Sequence, residues 1–486
     1  LQQNSSEVKH FSFDIPSFTK AKKVVVLVLV GLALLTGYYT VTIGIVFPMA
    51  LGLSALLSVC LILLVSYPIA GLMATVVFCF ILPIIGRELA INFPLGIGFE
   101  VLLILTVLAA LFNKHKANWA DANNDMVKLV ILWFIISVLQ VANPSGASVE
   151  GWYNEIRGTA LNMLLVIPLG CAVMQREKHL NLFLYVIIAW SVIGALNGVK
   201  QLYFGLFPGE RLFLMENEKT HLIRGVIRVF SFYTDAGQYG ASMSHIALVS
   251  WILALGPFKF WKRVLLFGIG CLLFYAMVIS GTRGAFFVLA GGVIGLFLTK
   301  NFKLLIIGLV ASVALFSFLK FTNIGQGSYQ IRRLRTAVNP EEDASFLVRL
   351  NSQMRLAYYL KDKPFGGGLG TIGQNGKIYN PGTFLASVEP DSYWVKVWAM
   401  YGIIGLVLWF SMHMYIMGKC CGIIWRINNP QLRIKLVALI SGAIGIFIAS
   451  YGNEVINRTP SSILVFISWV VVYNARKWDK PLDHAI

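Results

Sequence analysis

The sequence predicts an all-α, polytopic membrane helix bundle, and three observations carry that prediction. Hydrophobic residues make up 57% of the 486 positions and the mean hydropathy is +0.74, far above a soluble domain. Apolar runs of spanning length, roughly 20 residues per helix, follow one another along the chain. The Lys/Arg clusters fall on every second connecting loop. Because short Lys/Arg-rich loops stay cytoplasmic, the alternation predicts about 12–14 transmembrane helices with both termini inside.

Expected spans cover 24–40, 43–65, 69–86, 95–112, 126–142, 157–174 and 181–203, then 236–255, 261–280, 284–299, 302–321, 391–418, 433–451 and 459–473. The inner ends are marked by Lys9, Lys20, Lys22 and Lys23, by Lys114 and Lys116, by Arg176 and Lys178, and by Lys259, Lys262 and Arg263. Lys300 with Lys303, the basic stretch 419–435, and Arg476, Lys477 and Lys480 continue the series. The first apolar run is followed at once by others, so it reads as a span and not as a cleaved signal peptide. Gly291 and Gly295 have the small-xxx-small spacing of a close helix contact, and no internal repeat is visible. Cys60, Cys79, Cys171 and Cys271 lie in apolar spans, and adjacent Cys420 and Cys421 lack partners at ligand spacing, so neither disulfide nor metal site is expected.

Two outer segments are longer than turns, giving three parts: a transmembrane bundle over 1–321 with an outer loop at 204–235, a small helical domain over 322–390, and C-terminal transmembrane helices over 391–486. In the inserted domain Asp343 or Ser345 is placed to cap a helix carrying Leu347, Leu350, Met354 and Ala357 on one face, which Lys363-Pro364 and Gly366 would stop.

The net charge of +18 is too large for the inner loops, which points to an anionic ligand outside. Arg224, Arg228, Arg283, Arg332, Arg333, Arg335, Arg349 and Arg355 all fall in outer segments. Arginine suits bidentate capture of phosphate oxygens; the alternative is snorkelling to lipid phosphates. Arg283 sits among small residues in Ser280-Gly281-Thr282-Arg283-Gly284-Ala285, where a charge without a partner is costly. The run Gly366-Gly367-Gly368-Leu369-Gly370 lacks the Gly-Lys-Ser/Thr ending of a phosphate loop and reads as a flexible turn. In Glu389-Pro390-Asp391-Ser392-Tyr393-Trp394, Asp391 and Glu389 are candidates for a general base, while Asp391 equally suits a helix N-cap. His221 is the outer-loop histidine, a type more often structural when alone, and no outer His/Asp/Glu cluster has metal-ligand spacing.

The order of four features resembles the bacterial O-antigen ligase and O-antigen polymerase family. These are Arg228 ahead of an aromatic-rich stretch ending at Tyr239, the Ser280-to-Ala285 element, an Arg-bearing helix from Arg349 leading into Lys363-Pro364-Phe365-Gly366-Gly367-Gly368, and a short polar motif followed by Tyr401-Gly402-Ile403-Ile404-Gly405. The resemblance implies a periplasmic loop domain over a cavity in the inner membrane, with a glycan passing from a polyprenyl-diphosphate carrier to a hydroxyl of a glycan, lipid or protein acceptor. It implies neither metal nor nucleotide cofactor and no nucleic-acid partner. Arg228 and Arg283 would contact the diphosphate and Asp391 would act as base, with Arg224, Arg332, Arg335, Arg349, Arg355, Glu389 and Tyr393 around the substrate. Ligases of the family usually carry a His-Asn pair where this chain has Asp391-Ser392. A lipid-linked polysaccharide flippase is the rival reading, and protein O-glycosylation the alternative within the family.

Overall fold

The computed structural model describes residues 20–43, 51–52, 58–59, 61–88, 95–146, 148–223, 225–325, 327, 329–336 and 344–479. The unit Leu1–Leu63 contains the helix Lys20–Ile43; all that follows concerns the unit Leu64–Ile486. Most of the expected span 43–65 and the expected cap Asp343 lie outside the described residues.

Among the described residues eight helices are long and apolar enough to cross a membrane: Pro68–Glu88, Asp125–Ala142, Val149–Val173, Glu177–Tyr203, Phe260–Ile279, Phe302–Phe321, Tyr393–Trp425 and Pro430–Ala449. Two shorter apolar helices, Gly96–Phe112 and Gly284–Leu298, join them. Two further expected spans are helices of another character. Ala236–Ala254 carries Gln238, Ser242, Ser244, His245 and Ser250, all buried. Ser461–Asn474 has only 14 residues and buries every side chain except Tyr473, as a helix apolar all round does at the centre of a bundle. Pro430–Ala449 is the other central helix, whereas Phe302–Phe321 buries only Leu319.

The charge alternation has a geometric counterpart, since contacts between loops join loops of the same parity. On the basic side Lys477 pairs with Asp121, Lys435 Nζ lies 2.7 Å from Glu177 Oε1, Gln431 reaches the Pro257 carbonyl at 3.4 Å, and Lys116 lies over the Tyr67 ring. On the other side Arg87 reaches the Ser231 carbonyl at 2.7 Å, and the Ser148 N–H donates to Asn380 Oδ1 at 2.9 Å. The expected close contact at Gly291 and Gly295 is present: a Cβ on Gly291 would fall 2.1 Å from the Ser441 carbonyl oxygen, and one on Gly295 2.0 Å from Ser441 Oγ.

Segment 322–390 is helical in its described parts, with Tyr329–Arg335, Ala344–Leu360, Gly373–Tyr379 and a 3-10 turn at Leu385–Ser387. Its glycine run is a tight clasp and not a flexible turn. The Tyr393–Trp425 helix breaks at Gly402, where φ is 70° and ψ is −171°. Two carbonyls near the break accept from the run, Ala399 from the Gly367 N–H at 2.8 Å and Met400 from the Gly368 N–H at 3.0 Å. A Cβ on Gly402 would lie 2.0 Å from the Pro364 oxygen, so backbone meets backbone with no room for a side chain. Asn143, whose side chain donates to the Phe365 carbonyl at 3.0 Å, fastens the clasp to the loop that follows Asp125–Ala142.

Candidate active site

The loop between Glu177–Tyr203 and Ala236–Ala254 is held by two charged groups. Glu210 accepts from Lys200 Nζ at 2.6 Å, Phe207 N–H at 2.8 Å, Gln201 at 2.9 Å and Asn197 at 3.1 Å. Burial alone would raise its pKa; Lys200 and these hydrogen bonds together hold it below the usual carboxylate range. Arg87 donates to the carbonyls of Ser231 and Tyr233 beneath the rings of Phe213 and Phe230. A two-stranded hairpin, Leu222–Ile223 against Val226–Ile227, then delivers Arg228.

Arg228 arrives at the turn that ends Phe260–Ile279. Ser280 Oγ donates to the Met277 carbonyl at 2.6 Å and accepts from the Thr282 N–H at 3.2 Å, while Gly281 takes φ +59° between them. Thr282 Oγ1 donates to the Ala236 carbonyl at 2.8 Å and accepts from Arg228 Nη2 at 3.2 Å; Arg228 Nη1 donates to the Thr220 carbonyl at 2.9 Å. Arg283 Nη1 donates to Thr336 Oγ1 at 3.1 Å, and that hydroxyl donates to the Arg333 carbonyl at 2.8 Å. A Cβ on Gly281 would lie 3.3 Å from Arg333 Cδ and 3.8 Å from Arg228 Cγ. Three half-buried arginines therefore converge on one small-residue turn, with Thr282 and Thr336 hydroxyls among the groups that orient Arg228 and Arg283.

Residues 268–410, which include this turn, the inserted segment and the Gly402 break, match the O-antigen ligase family. The O-antigen polymerase of Salmonella muenchen is 27% identical over 292 residues, covering 57% of this chain and 69% of that protein. Both likenesses support the O-antigen ligase and polymerase family.

The other residues expected around the site occupy distinct places. Asp391 Oδ2 lies 3.0 Å from Arg349 Nε with the carboxylate side chain 53% exposed, and Glu389 pairs with Lys377. The helix cap is Ser392, whose Oγ accepts from the Val395 N–H at 3.4 Å, so Asp391 is free of that duty. Tyr393 points into the core against Trp409, its N–H donating to the Ser450 carbonyl at 2.9 Å. Arg335 is spent on the Thr322 and Ile324 carbonyls and clamps its helix to the end of Phe302–Phe321. Arg332 is exposed, and Arg355 lies over the Phe384 ring in a cleft of about 810 Å³ shared with Tyr358 and Lys361. Arg224 lies outside the described residues.

His221 is built into the scaffold. Its Nε2 accepts from the Ala236 N–H at 3.3 Å, which leaves the proton on Nδ1, 2.8 Å from Thr220 Oγ1. Burial, then the nearby Arg228 charge, lowers its pKa to about 4.

The sequence reading missed a chain of charges that is buried at its Lys396 end. Asp235, which caps Ala236–Ala254, pairs with Arg458 at 2.9 Å; Arg458 reaches Glu454 at 3.5 Å; Lys396 lies 3.2 Å from Glu454 and 2.9 Å from Glu155; and Asn375 donates to Glu155 at 2.7 Å. Lys396 and Glu155 are 9% and 4% exposed. A lysine one turn inside an apolar span was the available signal. The chain ties the arginine turn, through Asp235, to the helix that follows Asp391.

An apolar groove of about 760 Å³ lies between Phe260–Ile279, Gly284–Leu298 and Phe302–Phe321. Trp251, Phe286, Leu296, Ile307 and Phe316 line it, from near Arg283 to Arg263 at the basic end.

Proposed function

We propose that this chain transfers a glycan from a polyprenyl-diphosphate carrier to an acceptor hydroxyl at the periplasmic face of the bacterial inner membrane. The convergence of Arg228 and Arg283 on the Ser280–Thr282 turn, beside a groove fit for a prenyl chain, carries the reading. The acceptor oxygen attacks the anomeric carbon, the bond to the diphosphate breaks, and its electron pair leaves with the diphosphate. Arg228 and Arg283 meet the charge that develops there, an effect worth roughly 100- to 1,000-fold for a single donor in comparable sites. Asp391, oriented by Arg349, takes the acceptor proton. Arg332, Arg355 and Glu389 face the open side, where glycan or lipid phosphate would pass. The donor is already activated, so the scheme calls for no nucleotide.

The likeness to an O-antigen polymerase supports a glycan as acceptor. Deletion of the gene tests this: single repeat units left on the carrier mark a polymerase, and full-length polymer stranded on the carrier marks a ligase acting on lipid or protein. An unchanged glycan profile would reject both.

A further inference from the structure

Across the loop that carries Asn453 and Arg458 lies a second cavity, of about 190 Å³, whose apolar side is formed by Cys79, Leu82 and Phe99. That loop's near side meets the arginine turn, where Asn453 fills the space a Cβ on Gly284 would need. Its far side contributes Thr459 to the cavity, with Gly96, Glu100, Asn154, Arg157 and Asn162 around it. Arg157 Nε and Glu100 Oε1 are 2.5 Å apart, with side chains 18% and 12% exposed. That bond occupies one guanidinium nitrogen and one carboxylate oxygen. Gly96 leaves room for the rest: its Cβ would stand 3.2 Å from Arg157 Nη2. Asn162, 8% exposed, has an Oδ1 with no hydrogen-bond partner among the described residues, and a buried acceptor left this way is costly unless something donates to it.

The helix is shaped to bring these groups together. Residues eight apart on a regular α-helix differ by about 80° in direction, which would turn Asn162 away from Asn154. The π-helical turn at Arg157–Leu161 inserts extra backbone between them, cutting the difference to about 20°, and such turns are frequent at functional sites.

We propose that this cavity binds one sugar ring of the glycan. The inference rests on the glycan-transfer reading for its choice of ligand. The internal Glu100–Arg157 pair gives a wall with no net charge, which disfavours a phosphate, while the carboxylate, guanidinium and amide offer the mixed donors and acceptors that hydroxyls need. The volume equals the share of roughly six water molecules in the liquid, the bulk of a single ring. A chain reaching over the loop would have one sugar here and its reducing end by Arg228 and Arg283.

The test uses the full-length protein in nanodiscs and short oligosaccharides released by mild acid from the host's surface polysaccharide, without lipid or phosphate. Saturation-transfer NMR should show binding to the wild type. Asn162→Leu, and independently Asn154→Trp, which blocks the cavity from its rim, should weaken it at least tenfold, while Gly418→Ala, remote from the cavity and with nothing within 4 Å of its Cβ, leaves it within twofold. Absence of wild-type binding, or equal affinity in a monodisperse Asn162→Leu or Asn154→Trp variant, overturns the site. Binding that depends on Asn162 in a protein with no transferase activity would leave the site standing and remove the transfer reading instead.

Discussion

Arg349 Nε holds Asp391 Oδ2 at 3.0 Å, joining the long helix of the inserted segment to the residue just ahead of a Ser392-capped helix. Because Ser392 supplies the cap, Asp391→Asn is a clean probe of proton transfer. Turnover should fall by about 100-fold, the usual scale for a general base, with unchanged thermal stability and donor affinity. Measured turnover equal to wild type would remove Asp391 from the chemistry.

Arg283→Lys and Arg228→Lys keep the charge and lose the fork that engages two oxygens at once. Each should reduce transfer by at least tenfold, and alanine at either position by about 100-fold or more. Single-turnover assays at matched protein level separate this from lost donor binding. Activity at the wild-type level in the lysine variants would contradict the assignment.

Lys396 is the shared partner of Glu155 and Glu454. Lys396→Met leaves two carboxylates in a buried setting and should destabilise by about 3–5 kcal/mol. Adding Glu155→Gln should restore part of that loss, since one uncompensated charge is gone. Melting of the single and double variants in detergent measures the difference; an unaltered single variant would mean that water reaches the network.

The pH response of the loop between Glu177–Tyr203 and Ala236–Ala254 follows from His221. In the unfolded chain it titrates near 6.5, but in the folded loop only at about 4. Between those values the unfolded state binds the extra proton, so stability is complete above the upper value and falls as pH drops through the window, by up to about 3 kcal/mol. His221→Gln keeps an acceptor for the Ala236 N–H and removes the titration. The drop in melting temperature from pH 7 to pH 5 should therefore be smaller in the variant, and an identical drop would rule His221 out.

Gly402→Ala adds a methyl group 2.0 Å from the Pro364 oxygen at φ 70°. The cost should exceed about 1 kcal/mol and should appear as lower yield and melting temperature, with Gly418→Ala, which meets nothing within 4 Å, as the neutral comparison. Equal stability of the two variants would show that the clasp opens readily.

Much of the architecture was legible because hydropathy and loop charge are local properties: spans and their alternation come from 20-residue windows and short loops. The meeting of Arg228 with the Arg283 turn was legible through the family's motif order. The rest depended on distance and phase. Lys396 and Glu454 are 58 residues apart and Arg349 and Asp391 42 apart, separations at which pattern offers no pairing rule. The glycine run was misread because glycine serves a loose turn and a close backbone approach equally well, and only the partner strand of chain at Ala399 and Met400 tells them apart.

The clasp also limits how the protein can mutate. What a side chain at Gly366 or Gly402 would strike is main chain, the Met400 and Pro364 carbonyl groups, which every amino acid carries. Shrinking a neighbouring residue therefore cannot rescue a change at either glycine, and a search for second-site suppressors should return true revertants.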